Sequence, residues 1–250
     1  MKDTTQNTYL STDIPFDFLQ ELVDANRILY DQRVVDAFGH VSARHPTRPD
    51  RFFLSRNLAP GLVTVADIVE YDVATGEAIA PNPPRLYLER YIHSEIFKAR
   101  PDVMAVVHNH SPTVLPFGIA KGAKLRPACH MCGFLGAGPS VFEIRDSAGS
   151  GTDLLIRNRE LGAALAATLR DDRIVLMRGH GCTVVGESVQ VAVYRAVYAE
   201  VNAKLLLASM PLGELTYLTP EEAEEARRNT EGQVHRPWGM WKQQANAASA

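Results

Sequence analysis

Apolar residues recur at helical spacing from Phe16 to Tyr30, where Phe16, Leu19, Leu22, Val23, Ala25, Ile28 and Leu29 share one stripe and predict an amphipathic helix. Short β-branched and aromatic runs follow. Arg51 to Ser55 and Ile68 to Val73 read as strands, the second closed by the turn Ala74-Thr75-Gly76-Glu77. Pro81-Asn82-Pro83-Pro84 is a stiff loop before a helical stretch that Glu89 opens. The run Val103-Met104-Ala105-Val106-Val107 predicts a buried strand, and Ser111-Pro112-Thr113 starts a short helix with proline at a tolerated early position. Glycine-rich loops span Gly133 to Gly151. A helix is expected near Arg157 to Leu169, strands at Ile174 to Met177 and around His180 to Gly186, and a long helix over Val189 to Ser209. Thr219 caps a further helix with Pro220 in its first turn. Helices and strands alternate irregularly, which predicts a layered α/β domain rather than a simple doubly wound one.

Two of the apolar strands end in histidine. Val106-Val107 runs into His108-Asn109-His110, and residues two apart on a strand point to one face, so both imidazoles can close on one ion. His180, between Gly179 and Gly181, follows the run Ile174 to Met177. Three neutral imidazoles leave a divalent cation with open positions, the catalytic rather than the closed structural pattern. Manganese, iron, cobalt and zinc all suit three imidazoles plus oxygen. A carboxylate at Glu89, one element upstream, can serve as fourth ligand or as proton carrier; the plainer alternative is an exposed helix acid paired with His93 four residues on. His93 itself reads as a structural helix residue and His45 as a surface loop residue. Cys129-x-x-Cys132 has redox or zinc spacing, but no second pair accompanies it, and packing is the expected role.

Composition narrows the partners. The chain of 250 residues is most simply one domain, although its length would permit two. A net charge of -3 gives no reason to expect nucleic acid or an anionic membrane. No apolar run approaches the roughly 20 residues that span a bilayer. The polar start, Met1 to Asn7, lacks the apolar core of a signal peptide. Three cysteines do not make a disulfide framework. These features together fit a cytoplasmic enzyme of small molecules. The aromatic segment Gln233 to Trp241 is expected to pack rather than dangle, on a neighbouring subunit or on its own domain, with the chain frayed beyond Lys242.

Several motifs in order, Gly39-His40-Val41-Ser42-Ala43-Arg44, Glu89-x-x-x-His93, Arg100-Pro101-Asp102-Val103 leading to His108-x-His110, and Gly179-His180-Gly181, resemble the class II aldolase/adducin superfamily over roughly residues 16–215. The resemblance implies a single-domain αβα sandwich with a central mixed sheet. It also implies a homotetramer with active sites between subunits, a metal on His108, His110 and His180, and Glu89 in the active site. The expected organisation is a flexible arm over 1–13, the family domain over 14–215, and a C-terminal helix and tail over 216–250 that packs at a subunit interface.

The departures from the sugar-phosphate aldolases of that family point to a different substrate. Those enzymes hold phosphate with a Gly-Asn-x-Ser turn, a Thr-Gly pair, and two serines before the glutamate. Here the turn carries His40, the middle segment is Leu54-Ser55-Arg56-Asn57-Leu58-Ala59-Pro60, and Tyr87 and Leu88 precede Glu89. A phosphate dianion wants small donors and close backbone approach, which Tyr87 and Leu88 do not supply. Arg56 and His40 suit a carboxylate instead; Arg85 is a weaker candidate, read as a solvated loop arginine. With Cys129 to Phe134, this set resembles a branch that decarboxylates hydroxylated aromatic acids such as dihydroxyphthalate and a hydroxymethylpyridine dicarboxylate. The implied activity is a metal-dependent carboxy-lyase in aromatic catabolism, passing through a metal-held enolate. Glu89 would carry the proton; Arg56, His40, Ser42, Tyr87 and His130 would meet the substrate. The competing readings are an aldolase for an unphosphorylated hydroxy-carbonyl substrate and a non-catalytic assembly module, the latter disfavoured by the three histidines.

Overall fold

The computed structural model describes residues 8–10 and 14–247, so most of the arm expected over 1–13 lies outside the described residues. Thr8 to Leu10 are tied to the domain: the Tyr9 carbonyl accepts the Glu70 N–H at 3.2 Å, and Leu10 packs on the core. One seven-stranded sheet is formed by β1 (His40–Arg44), β2 (Arg51–Ser55), β3 (Ile68–Asp72), β4 (Ala105–Asn109), β5 (Val141–Phe142), β6 (Ile174–Met177) and β7 (Gly181–Gly186). Its order is β3-β2-β1-β4-β7-β6-β5. β5 pairs parallel to β6 and the other pairings are antiparallel, so the sheet is mixed, as expected.

The period-2 alternation of the strands divides the core in two. Phe53, Ala105, Val107, Leu176 and Val184 face one side; Phe52, Leu54, Val106, Val175 and Val185 face the other. The first side is covered by α1 (Phe16–Asp31), α6 (Val189–Ser209) and α8 (His235–Ala247). The second is covered by α2 (Arg90–Ala99) and α5 (Arg159–Leu169). Short helices α3 (Leu115–Ile119) and α4 (Arg145–Ala148) and helix α7 (Pro220–Glu231) complete the set. Full burial of each large aliphatic side chain, such as Ile92 and Ile96 on α2, contributes about 1.5–3 kcal/mol.

The helix signals act where the spacing placed them. Ser188 accepts from Val191 N–H at the start of α6, Asn158 from Leu161 N–H at the start of α5, and Thr219 with Glu222 forms a capping box on α7. Phe16, counted in the α1 stripe, is exposed instead. The short helix after His110 begins later than expected, at Leu115, and the Ser111 and Thr113 hydroxyls before it donate to the buried Glu200 carboxylate.

Two strands depart from the sequence reading. The motif read as a turn, Gly39 to Ser42, is a turn only at Gly39, with φ +100°; from His40 it is the interior strand β1, between β2 and β4. Its alternation was disguised because the side facing α2 is polar yet buried. Arg44, for example, spends its guanidinium on the carbonyls of Pro49, Phe97, Arg100 and Val103. The glycine-rich stretch hides the two-residue edge strand β5 and α4. At the C-terminus, Trp238 and Trp241 are buried in their own domain, and Trp241 lies 6.0 Å from Tyr198 of α6. Lys242 reaches Asp24 of α1 at 2.7 Å, and the helix continues to Ala247 rather than fraying at Lys242.

Candidate metal centre and active site

Strand parity builds the site. His40, Ser42 and His108 share the face with Val106, on the α2 side of the sheet, and His40 is the register partner of His108. β4 also pairs with β7, so the hairpin joining β6 to β7 delivers His180 beside the end of β4. That hairpin turns at Gly179, with φ +67°. Gly181 lies so close to β4 that a Cβ would stand 2.1 Å from the Asn109 carbonyl oxygen. Glu89 occupies the residue before α2 and points its carboxylate at the same spot.

The four groups converge. His110 Nε2 lies 3.1 Å from His108 Nε2 and 3.1 Å from His180 Nε2. Glu89 Oε2 lies 3.7 Å from His108 Nε2 and 3.5 Å from His180 Nε2. Donors bonded at about 2.1 Å to one ion, at angles between octahedral and tetrahedral, stand about 3.0–3.4 Å apart. The spacing therefore fits a single divalent cation, with Glu89 slightly withdrawn.

Neighbouring groups leave the Nε2 lone pairs of His108 and His180 available. His180 Nδ1 meets the Leu154 carbonyl at 2.9 Å; a carbonyl only accepts, so the proton sits on Nδ1 and Nε2 is bare. His108 Nδ1 lies 3.2 Å from Thr183 Oγ1, whose hydroxyl faces Met177 sulfur, which assigns the His108 proton to Nδ1 in the same way. Burial, then repulsion from the neighbouring imidazoles, holds His108 well below the usual histidine range, and burial also lowers His110. Neutral imidazole is the form that ligates.

Residues 154–156 were not foreseen as part of the site. Ile156 N–H donates to Glu89 Oε1 at 3.0 Å while the Leu154 carbonyl orients His180, so one segment holds two of the four groups. Leu154 does this in the left-handed region, φ +70°, which a non-glycine residue adopts at a cost of about 1–2 kcal/mol. Backbone carbonyl and amide contacts of this kind leave no residue-type signal in a sequence.

The expected substrate-facing residues divide. His40 stays close, its ring 5.1 Å from His108 and 4.6 Å from Tyr87. His40 Nδ1 lies 2.7 Å from His93 Nε2, and Ser42 Oγ lies 2.6 Å from His93 Nδ1. Ser42 is fully buried and serves His93, and His93 is the centre of a buried polar chain. Tyr87 turns its hydroxyl to the Leu58 carbonyl and presents its ring to His40. Arg56 Nε donates to Asp67 at 2.7 Å, leaving its two Nη groups without partners among the described residues. His45 is buried, and its Nδ1 accepts the backbone N–H groups of Thr47 and Arg48, which corrects its reading as a surface residue. Within one chain, His130 is not brought to the cluster: it lines a separate groove of about 610 Å³ with Tyr194, Tyr198 and Arg236. A cavity of about 500 Å³ opens beside His110, lined by Tyr30, Arg33, Val35, Asp36 and Pro112.

The chain is 42% identical to decarboxylase tropJ of Talaromyces stipitatus over 245 residues, 89% of this chain and 92% of that protein. It is 32% identical to a 3,4-dihydroxyphthalate decarboxylase of a Terrabacter species, covering 75% of this chain and 79% of the relative. Among solved structures, an L-fuculose 1-phosphate aldolase from Glaciozyma antarctica superposes with a TM-score of 0.74 at 21% identity, over 96% of this chain and 95% of the other, which shows the shared fold. The model of the class II aldolase and adducin N-terminal domain matches residues 20–207, and the chain belongs to that family.

Proposed function

We propose that the protein is a metal-dependent decarboxylase of a hydroxylated aromatic carboxylic acid, with a dicarboxylate as the preferred form. The observation that carries this is the convergence of three imidazole nitrogens and one carboxylate at a spot where the small phosphate donors of the aldolases are replaced by Tyr87 and Leu88. The decarboxylases among the relatives support the same reaction class.

A divalent ion at this cluster supplies Lewis-acid stabilisation of the electron pair left when a carbon–carbon bond breaks. The chain's own groups do the rest. Glu89 has one oxygen anchored on Ile156 N–H and the other, Oε2, facing the cluster, so a proton on Oε2 is placed for transfer to the ring carbon that loses CO2. His40 stays neutral under burial and offers a hydrogen bond without a buried charge. Arg56, aimed through its Nε by Asp67, keeps its Nη pair for a second carboxylate.

The test is CO2 release by manganese-loaded protein on a panel of ortho-hydroxy aromatic mono- and dicarboxylates, with a chelated control. Metal-dependent release is expected, greatest for a dicarboxylate. Metal retention without release from any member overturns the reading in favour of an aldolase for an unphosphorylated substrate.

A further inference from the structure

Cys129 and Cys132 lie in the segment that packs against α6 and α7. Cys129 precedes a 3-10 turn over His130–Leu135, and Cys132 N–H donates to the Cys129 carbonyl at 3.0 Å. In a 3-10 turn the side chains at i and i+3 eclipse. The two sulfurs accordingly face each other at 3.1 Å. A turn of this kind also keeps the two Cα atoms within the span that a disulfide bridges.

The two thiols differ in the way that exchange chemistry requires. Cys129 is partly exposed, and the hydrogen bond from Cys132 lowers its thiol to about 7, so near neutral pH it holds a substantial thiolate fraction. Cys132 is fully buried, with its sulfur 3.4 Å from the Tyr198 carbonyl, and the hydrogen bond to Cys129, then burial, pushes its thiol up. One sulfur is reachable from solvent and the other waits behind it. The third cysteine, Cys182, is buried in β7, its thiol pushed up to about 12, and serves as an internal inert reference.

We propose that Cys129 and Cys132 are a redox-active pair that closes to a reversible intramolecular disulfide, independent of the metal centre. The oxidant is a low-molecular-weight disulfide. Cys129 thiolate attacks one sulfur of it, breaking that S–S bond and releasing one thiolate, which takes up a proton. Cys132 then loses its proton and attacks the Cys129 sulfur of the mixed disulfide, releasing the second thiol. Two electrons pass from the protein to the oxidant, and one S–S bond replaces another. Closure removes the Cys132 S–H beside the Tyr198 carbonyl and draws in the turn whose His130 and Met131 line the groove with Tyr194 and Tyr198.

The test is equilibration of the full-length, metal-loaded protein with glutathione buffers of increasing oxidised fraction, followed by acid quench, intact mass and peptide mapping. The expected result is loss of two hydrogen atoms without an adduct, Cys129 and Cys132 disappearing together from thiol labelling, Cys182 unchanged, and full recovery on reduction. Cys132→Ser should trap glutathione on Cys129 as a stable adduct. Should that variant fail to fold, the wild-type mass alone decides. Free Cys129 and Cys132 in fully oxidised buffer, or a persistent glutathione adduct on wild-type Cys129 beside a free Cys132, overturns the proposal.

Discussion

Ser42 Oγ and His93 Nδ1 lie 2.6 Å apart with neither residue reached by solvent, and the other nitrogen of His93 meets His40. Burial holds His93 down to about 3, whereas the unfolded chain protonates it near pH 6.5. Between those values the unfolded state binds more protons at this residue, so its contribution to stability is nearly constant above pH 6.5 and falls as pH drops below it. The loss from this residue is about 2 kcal/mol between pH 6.5 and pH 5. Urea unfolding of His93→Gln should show a pH slope flatter than wild type by that amount over the same range. An unchanged slope would mean that His93 is protonated in the native state.

Glu89→Gln separates holding the ion from moving the proton. The amide oxygen can still accept Ile156 N–H, and the three imidazoles are untouched. Metal content measured by elemental analysis should stay near one ion per chain, while kcat falls about 10²–10⁴-fold, the usual contribution of a positioned acid or base. Full retained turnover would remove Glu89 from the proton-carrying role.

The histidine cluster is legible in the sequence because strand parity and a glycine-flanked hairpin constrain where a histidine can point. His108, His110 and His180 end apolar runs, and apolar runs are legible. The mixed sheet and αβα layering came from the family resemblance, while β1 was lost because its polar face is buried against α2, where solvent-facing polarity is the usual assumption. Ser42 was assigned to substrate, and its hydroxyl faces inward to His93. Leu154 and Ile156 contribute through backbone atoms, which any side chain could accompany. The resemblance assigns His130 to the site, and within one chain it lines another groove.

Arg56 tests the dicarboxylate preference. Its Nε is fixed by Asp67, and a charge-assisted hydrogen bond to a substrate carboxylate is worth about 1.5–3 kcal/mol. Arg56→Ala should raise KM for a dicarboxylate by about 10- to 150-fold, leave KM for the matched monocarboxylate within a few-fold, and change kcat little. Steady-state kinetics on the pair of substrates checks it; equal effects on both would place Arg56 outside the second-carboxylate contact.

Gly181→Ala couples the fold to the metal. The new methyl would sit 2.1 Å from the Asn109 carbonyl oxygen and 3.1 Å from His110 Cα, both backbone atoms, so β4 and β7 must part where they carry His110 and His180. In wild type, a divalent ion at a hundred times its Kd adds about 2.7 kcal/mol to stability, a rise of about 5–10 °C in Tm for a chain of this size. Chelation should reverse that rise. In Gly181→Ala the metal-dependent rise should vanish even where the variant still melts cooperatively, because separated ligands lose the common centre. Gly122→Ala, whose added methyl meets nothing within 4 Å, should keep the full shift. A Gly181→Ala variant that retains the wild-type shift would show that His180 reaches the ion without the close approach of the two strands.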